Sequence, residues 1–195
     1  MQVKNEGVTL LSLSMEQSLP YPLHAGLSCF GKADEQHARL QTILSQEQTR
    51  ICIAVHHDTI VGYATLLLPE PEERWASLPY VRMMGALEVA PPYRSRHIAS
   101  AILQKLFQSE INIEQCIVLA FEYYWHWDLQ HGTLDVYEYK RMLKRLLVSA
   151  GMEEVYTDDP DIQAHSANFA MARIGKSVSS EQMQQFFYTL QPRIW

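Results

Sequence analysis

Apolar residues along the chain occur as short runs and as spaced repeats, and these two patterns predict different elements. The runs predict strands at 8–13, 51–55, 60–68, 83–90, 116–121, 153–157 and 169–174. Apolar residues three or four positions apart predict helices at 33–48, 98–107 and 136–150. Ser179 or Ser180 is suited to cap a last helix, which is predicted to reach Tyr188.

The lengths of the connections predict how these strands pair. The link at 56–59 is too short for a crossover, so the strands on either side of it are expected to pair antiparallel. A strand, a helix and a strand follow one another at 83–121, which is the pattern of a parallel crossover. We therefore predict an α/β fold. Its central mixed sheet is largely antiparallel, contains one parallel strand pair and is flanked by helices.

Composition narrows the class of protein. The 195 residues, 47% of them hydrophobic, suffice for one domain with a sizeable core. The formal net charge of -6 disfavours a general nucleic-acid binder, and no apolar run approaches a membrane span in length. Residues 1–7 lack the apolar stretch of a signal peptide, and the three cysteines lack a metal-ligand spacing. We expect a cytoplasmic protein with no nucleic-acid partner and no membrane partner.

A short arginine-bearing turn connects the strand at 83–90 to the helix at 98–107. Between 91 and 109 the positive residues are Arg94, Arg96 and Lys105, and no residue is acidic. A helix N-terminus presents unpaired N–H groups and a partial positive charge, which suit a phosphate or pyrophosphate. On this chemistry alone two interpretations stay open, an anion site and a solvated turn with surface arginines.

The same turn resembles the acetyl-CoA motif of the GNAT N-acetyltransferases. The residues that carry the resemblance are Val89, Pro91, Tyr93, Arg94 and Ala99. Segments at 60–63, 69–75, 122–128, 157–160 and 170–176 are similar to the acetoin-utilisation acetyltransferases within this superfamily. The match covers roughly 50–187. We therefore expect one GNAT domain over 1–195, with a divergent N-terminal part at 1–45 and a C-terminal helix at 177–195.

This resemblance implies a donor, an acceptor and a partner. The donor is acetyl-CoA, and the acceptor is a lysine of AMP-forming acetyl-CoA synthetase, whose activity falls when that lysine is acetylated. In this fold the pantetheine lies between the two parallel strands, and a backbone N–H near Val89 polarises the thioester carbonyl. The pyrophosphate rests on backbone amides of the turn. The residues implied for cofactor binding are Leu87, Val89, Arg94, Ser95, Arg96, His97, Ile98 and Ala99.

His97 departs from the family pattern because it stands where the motif has its first glycine. A glycine lets the backbone approach a phosphate closely, and a side chain can obstruct that approach. His97 can instead donate a hydrogen bond, or bring a positive charge when protonated. Three functions stay open: a protein-lysine acetyltransferase, a binding module that holds the synthetase or senses acyl-CoA without efficient turnover, and a small-molecule amine N-acetyltransferase.

Two glutamates on the predicted parallel strands are candidate proton acceptors. A lysine amine has a pKa of about 10.4, so its attack on a thioester at neutral pH needs a base. Glu88 is the first candidate, because burial on the cofactor strand would raise its pKa; the alternative is a glutamate that faces solvent or pairs with an arginine. Glu122, at the end of the next parallel strand, is the second. The two are expected to flank the site from opposite sides.

An aromatic and polar run follows Glu122. The candidates for binding the acceptor are Tyr123, Trp125, His126 and Asp128. Their rings suit the alkyl-ammonium stem of a lysine, or they form a packed rim of the core. His126, Asp128 and His131 match no tight zinc spacing, so we predict no metal site.

Two further features stay open. Tyr137 and Tyr139 are available to protonate the leaving thiolate, but the usual family position holds Leu147, so no acid is assigned. The acidic turn at 158–161 is either a solvated loop or a contact for the partner or the acceptor.

Overall fold

The computed structural model describes residues 7–130 and 132–191, which form an α/β fold. The strands are β1 (Thr9–Ser14), β2 (Arg50–His56), β3 (Thr59–Leu67), β4 (Val81–Val89), β5 (Ile117–Glu122), β6 (Glu153–Val155) and β7 (Phe169–Ile174). Within the same residues the helices are α1 (Ala33–Leu44), α2 (Ile98–Ser109), α3 (Val136–Ser149), α4 (Pro160–Gln163) and α5 (Ser180–Leu190). The strands form one sheet in the order β1-β2-β3-β4-β5-β7-β6, which confirms the predicted fold class.

Local contacts explain where the helices begin and end. α1 ends at Leu44 rather than at residue 48, because the N–H of Ser45 bonds the carbonyl of Thr42 at 3.1 Å and tightens the last turn. α3 begins after Asp135, whose carboxylate accepts the N–H groups of Tyr137 and Glu138 at 2.8 Å. α4 is an element that the pattern of apolar residues did not predict. It forms inside the acidic turn because Asp159 caps it.

The pairing of the strands follows the predicted connections. β2 pairs antiparallel with both β1 and β3. The turn between β2 and β3 places His57 and Asp58 at φ 46° and 54°, which is the left-handed geometry of a tight two-residue hairpin. β4 and β5 pair in parallel, as predicted, at the three positions from Val81↔Ile117 to Met83↔Leu119. β7 pairs antiparallel with β5 and with β6.

The chain divides into two compact units, each with its own apolar core. The first unit comprises Met1–Leu67 and Gly85–Ile111, and the second comprises Leu68–Met84 and Asn112–Trp195. The core of the first unit contains Leu27, Leu40, Leu44, Ile51, Ile53 and Ile60. The core of the second contains Trp75, Val81, Ile117, Leu119, Ala172 and Phe186. The two candidate glutamates fall in different units, Glu88 in the first and Glu122 in the second.

Two further findings concern the organisation of the chain. The predicted C-terminal helix is α5, and residues 192–195 of that prediction lie outside the described residues. No helix in the described part of the chain is long and apolar enough to cross a membrane. The single domain over 1–195 stays a prediction.

Candidate functional site

The turn at 91–99, here called the phosphate turn after the ligand expected there, connects β4 to α2. A single 3-10 turn at Pro91–Tyr93 follows β4, and α2 begins at Ile98. His97 lies between them with φ 59° and ψ 16°, the left-handed conformation that glycine adopts without strain. Histidine is among the side chains that tolerate this region better than most. His97 therefore occupies a backbone conformation that a glycine would also adopt.

The side chains of the phosphate turn leave its helix end open. Ser95, Arg96 and His97 are exposed, and no side chain caps the N-terminus of α2. Arg94 is half-buried, and its Nε donates to the carbonyl of Val89 at 2.9 Å, which ties the turn back to the end of β4. The first turn of α2 contains no acidic residue. The arrangement can therefore bind an anionic phosphate through backbone N–H groups and the helix dipole.

The implied cofactor residues occupy two places in the first unit. Arg94, Ser95, Arg96, His97, Ile98 and Ala99 lie together in the phosphate turn, and Ile98 is buried and anchors it. Leu87 is half-buried and Val89 is buried, and both lie at the end of β4, just before the phosphate turn. Binding of acetyl-CoA by these residues stays a prediction.

An N-terminal segment packs on the end of β4, and sequence reasoning missed it. This segment, 24–29, is here called the strap. The ring of His24 lies edge-on to Tyr93 at 5.7 Å, and a Cβ added to Gly26 would lie 3.0 Å from Cδ of Pro91. The small Gly26 is therefore what allows this close approach. No local pattern signals these contacts, because the strap and the phosphate turn are far apart in the sequence.

Glu88 is buried and holds the strap. Its Oε1 accepts the N–H groups of Ser28 at 2.7 Å and Cys29 at 2.9 Å. Its Oε2 lies 3.3 Å from the hydroxyl of Tyr63, which also donates to Oε1 of Gln36 at 2.6 Å. Burial first, and the charge of Glu88 second, raise the pKa of Tyr63 far above its usual value, so the phenol stays a hydrogen-bond donor. With 4% of its surface exposed, Glu88 does not face solvent.

Glu122 has a different environment in the second unit. It ends β5, is only partly exposed, and is crowded by protein atoms that raise its pKa to about 7. The indole N–H of Trp127 donates to Oε2 of Glu122 at 3.3 Å, and this hydrogen bond lowers the pKa of the carboxyl. A carboxyl with a pKa near neutrality can take up and release a proton at physiological pH.

The aromatic residues after Glu122 form a surface cluster. Tyr123 and Trp125 stack with ring centroids 4.9 Å apart, and Trp125 is 48% exposed. The exposed His126 sets its ring edge against both. Asp128 follows in the same segment and is partly buried. The structure therefore brings Tyr123, Trp125 and His126 together on an accessible surface.

The acidic turn lies against this aromatic cluster. Besides burial, which is the larger cause, the carboxylates of Asp159, Asp161 and Glu73 raise the pKa of Tyr123. Asn168, a buried residue that sequence reasoning missed, joins the two segments. Its side chain accepts the N–H of Tyr124 at 2.9 Å and donates to the carbonyl of Asp161 at 2.7 Å. The cluster is thus an aromatic surface in a negative field, which suits a cation.

The candidates for the acid, Tyr137 and Tyr139, contact other side chains of the fold. The hydroxyl of Tyr137 lies 2.9 Å from Oγ of Ser166, the ring of Tyr139 stacks on Trp127, and Leu147 is fully buried. Among residues 7–130 and 132–191, no group of three or more His, Cys, Asp or Glu side chains is arranged to hold a metal ion. His131 lies outside those residues, so the absence of a metal stays a prediction.

Comparison with known proteins adds the family context. Residues 16–124 match the model of the acetyltransferase (GNAT) family. The chain is 40% identical over 176 residues to the acetoin utilization protein AcuA of Bacillus subtilis, covering 89% of this chain and 83% of that protein. The corresponding protein of Bacillus licheniformis is 38% identical over the same shares. The crystal structure of an acetoin utilization protein from Exiguobacterium sibiricum superposes with a TM-score of 0.85, at 34% identity, over 95% of this chain and 96% of that one.

Proposed function

The chain belongs to the acetyltransferase (GNAT) family, and from this premise we propose that it moves the acetyl group of acetyl-CoA to a lysine side chain of a protein. The observation that carries the proposal is Glu122, a carboxyl poised near neutral pH beside an exposed aromatic cluster in a negative field. A lysine acceptor needs both a base for its proton and a surface that accepts its ammonium stem.

The phosphate turn supports acetyl-CoA as the donor. Its backbone keeps the left-handed bend at His97, its side chains at 95–97 face solvent, and its helix opens without an acidic residue. A pyrophosphate would receive the N–H groups at the start of α2 and the field of Arg94 and Arg96. We propose that Arg94, Arg96 and the backbone at the start of α2 hold the acetyl-CoA.

The proposed reaction balances as an acyl transfer. A lysine amine loses its proton to Glu122, directly or through one water, and the neutral nitrogen attacks the thioester carbonyl carbon. The new C–N bond forms as the C–S bond breaks, the nitrogen releases its second proton to solvent, and CoA leaves as a thiolate that takes up a proton from solvent. Glu122 then returns its proton to solvent, which restores the base. Glu122 suits this role better than Glu88, because both oxygens of Glu88 already accept or approach donors within the fold.

The proposed acceptor protein is AMP-forming acetyl-CoA synthetase, and its acetylation would lower its activity. Support comes from the resemblance to the acetoin-utilisation acetyltransferases at 122–128 and 157–160, the segments that form the aromatic cluster and the acidic turn. We propose that Tyr123, Trp125 and His126 contact the stem of the target lysine, with Asp128 contributing from the same segment.

Incubation with purified synthetase and acetyl-CoA tests this function. Mass spectrometry should find acetyl-lysine on the synthetase, and synthetase activity should fall in parallel. Glu122→Gln is the matched control, because it keeps the size of the side chain but cannot take up a proton. Acetyl-lysine no higher with wild-type protein than without it would contradict the proposal.

The exposed side chain of His97 favours one alternative, a module that binds the synthetase or acyl-CoA without efficient turnover. A side chain at this position can keep a phosphate away from the backbone. A stable complex with the synthetase, formed in the presence of acetyl-CoA but without acetyl-lysine, would support the module. A small amine as acceptor is tested in the same assay by replacing the synthetase with free polyamines.

A further inference from the structure

The chain after Glu122 folds back and returns a side chain to its carboxylate. A single 3-10 turn at Tyr124–His126 follows β5, with the N–H of His126 bonded to the carbonyl of Tyr123 at 3.0 Å. This turn places Trp127, five residues beyond Glu122, with its Nε1 3.3 Å from Oε2 of that residue. The indole N–H donates to this carboxylate, and that hydrogen bond lowers the pKa of Glu122 against the effect of burial.

The indole of Trp127 is held by two other elements of the second unit. It stacks on Tyr139 of α3 with ring centroids 5.2 Å apart and planes 18° from parallel. It also packs against Phe169 of β7 at 6.1 Å, and Phe169 is the residue opposite Glu122 in the β5–β7 register. The orientation of the N–H is therefore set by the packing of α3 and β7, and not by the segment after β5 alone.

Two lysines of α3 lie near Phe169, the ring that packs against Trp127. The ammonium groups of Lys140 and Lys144 lie 5.5 and 5.9 Å from the centre of the Phe169 ring. Lys140 donates to the carbonyls of Ser166 at 2.6 Å and Asn168 at 3.5 Å. The titratable side chains on the segment after β5 are Tyr123, Tyr124, His126 and Asp128. Burial raises the pKa of Tyr123, so its phenol stays protonated.

We propose that Trp127 is a positioning residue for the transfer step, whose indole N–H holds the Glu122 carboxylate in place and stabilises its charged form. A hydrogen bond to the charged form of an acid favours that form, whereas burial opposes it. Both effects act on Glu122 in opposite directions. Burial is the larger of the two and leaves the pKa at about 7. Without the N–H, burial would act alone and the carboxyl would hold its proton to a higher pH.

The size of the effect follows from a single hydrogen bond to a charged group. Its loss should move the acid limb of the kcat/KM profile upward by roughly one pH unit. With a midpoint near 7 in the wild type, activity at pH 7 should fall about fivefold in Trp127→Phe. At pH 9 the kcat/KM of the variant should recover to within about 10% of the wild-type value, because Glu122 is then charged in both proteins.

The experiment rests on the proposed role of Glu122 and separates the two ideas. The kcat/KM profile is measured from pH 5.5 to 9.5 for wild type, Trp127→Phe, Glu122→Gln and Trp75→Phe, a buried tryptophan of the same unit that does not bond Glu122. Carboxyl ¹³C NMR follows the titration of Glu122 directly, in the absence of acetyl-CoA. An upward shift by both readouts in Trp127→Phe, but not in Trp75→Phe, supports the inference.

The contrary outcomes are distinct. An inactive Glu122→Gln together with an unmoved titration in Trp127→Phe would overturn the role of Trp127 and leave the base in place. An active Glu122→Gln would overturn the proposed base, and the NMR titration would still decide whether Trp127 stabilises the charged carboxyl. If Trp127→Phe does not fold, benzothienylalanine at position 127 keeps the shape of the indole and removes only the N–H. An unmoved titration in that variant would equally overturn the inference.

Discussion

Replacing Glu88 separates its anchoring role from a catalytic one. Glu88→Ala removes the acceptor for the N–H groups of Ser28 and Cys29, which bond it at 2.7 and 2.9 Å. Each partly buried donor left unpaired costs about 1–2 kcal/mol, so the free energy of unfolding should fall by roughly 2–4 kcal/mol. Glu88→Gln keeps an amide oxygen for both donors and loses the charge alone, which should cost only about 1 kcal/mol.

Urea unfolding of the two variants, combined with steady-state kinetics, measures both effects. Glu88→Gln should keep kcat/KM within about threefold of the wild type, whereas loss of a true general base costs about a hundredfold or more. Equal stability losses in the Ala and Gln variants would show that Glu88 does not anchor the strap. A stable Glu88→Gln protein with a hundredfold loss in kcat would identify Glu88, rather than Glu122, as the proton acceptor.

Two further predictions concern His97 and Glu122. His97→Gly should bind acetyl-CoA more tightly in calorimetry, by up to about tenfold, because glycine adopts φ 59° without strain and clears the phosphate approach; weaker binding would instead show that the imidazole donates to the cofactor. The pKa of Glu122 is raised in the folded state from 4.5 to about 7, so the folded state binds the proton more tightly and stability falls as pH rises between these values. Glu122→Gln should remove this loss and unfold at higher urea concentration than wild type at pH 8, whereas the exposed Glu153→Gln should not.

The elements were predictable where the pattern of apolar residues is local and complete. α3 follows from apolar residues at helical spacing together with the cap at Asp135, and both are properties of a few consecutive residues. The parallel pairing of β4 and β5 follows from the length of the crossover between them. Fine boundaries were less predictable, because the end of α1 depends on a tightened last turn and α4 depends on a single capping carboxylate.

The sequence indicated which residues are candidates for the site, but it did not separate the roles of Glu88 and Glu122. The order of strand, turn and helix, together with the charges at Arg94 and Arg96, made 94–99 a candidate anion site beside the alternative of a solvated turn. The sequence makes Glu88 the first candidate base and Glu122 the second, since both are glutamates on the predicted parallel strands. Their partners are what distinguish them, and those partners are not neighbours in the sequence.

Tertiary packing decided those partners. Glu88 is bonded to the backbone of Ser28, 60 positions away, and Trp127 is aligned by Phe169, which no local spacing reveals. Burial and long-range hydrogen bonds arise only when distant segments pack, and they set both the pKa of a carboxyl and the groups that its oxygens contact. The pattern of apolar residues predicts the helices and strands of this chain because that pattern is read over a few consecutive residues. The different roles of Glu88 and Glu122 depend instead on contacts between segments that are far apart in the sequence.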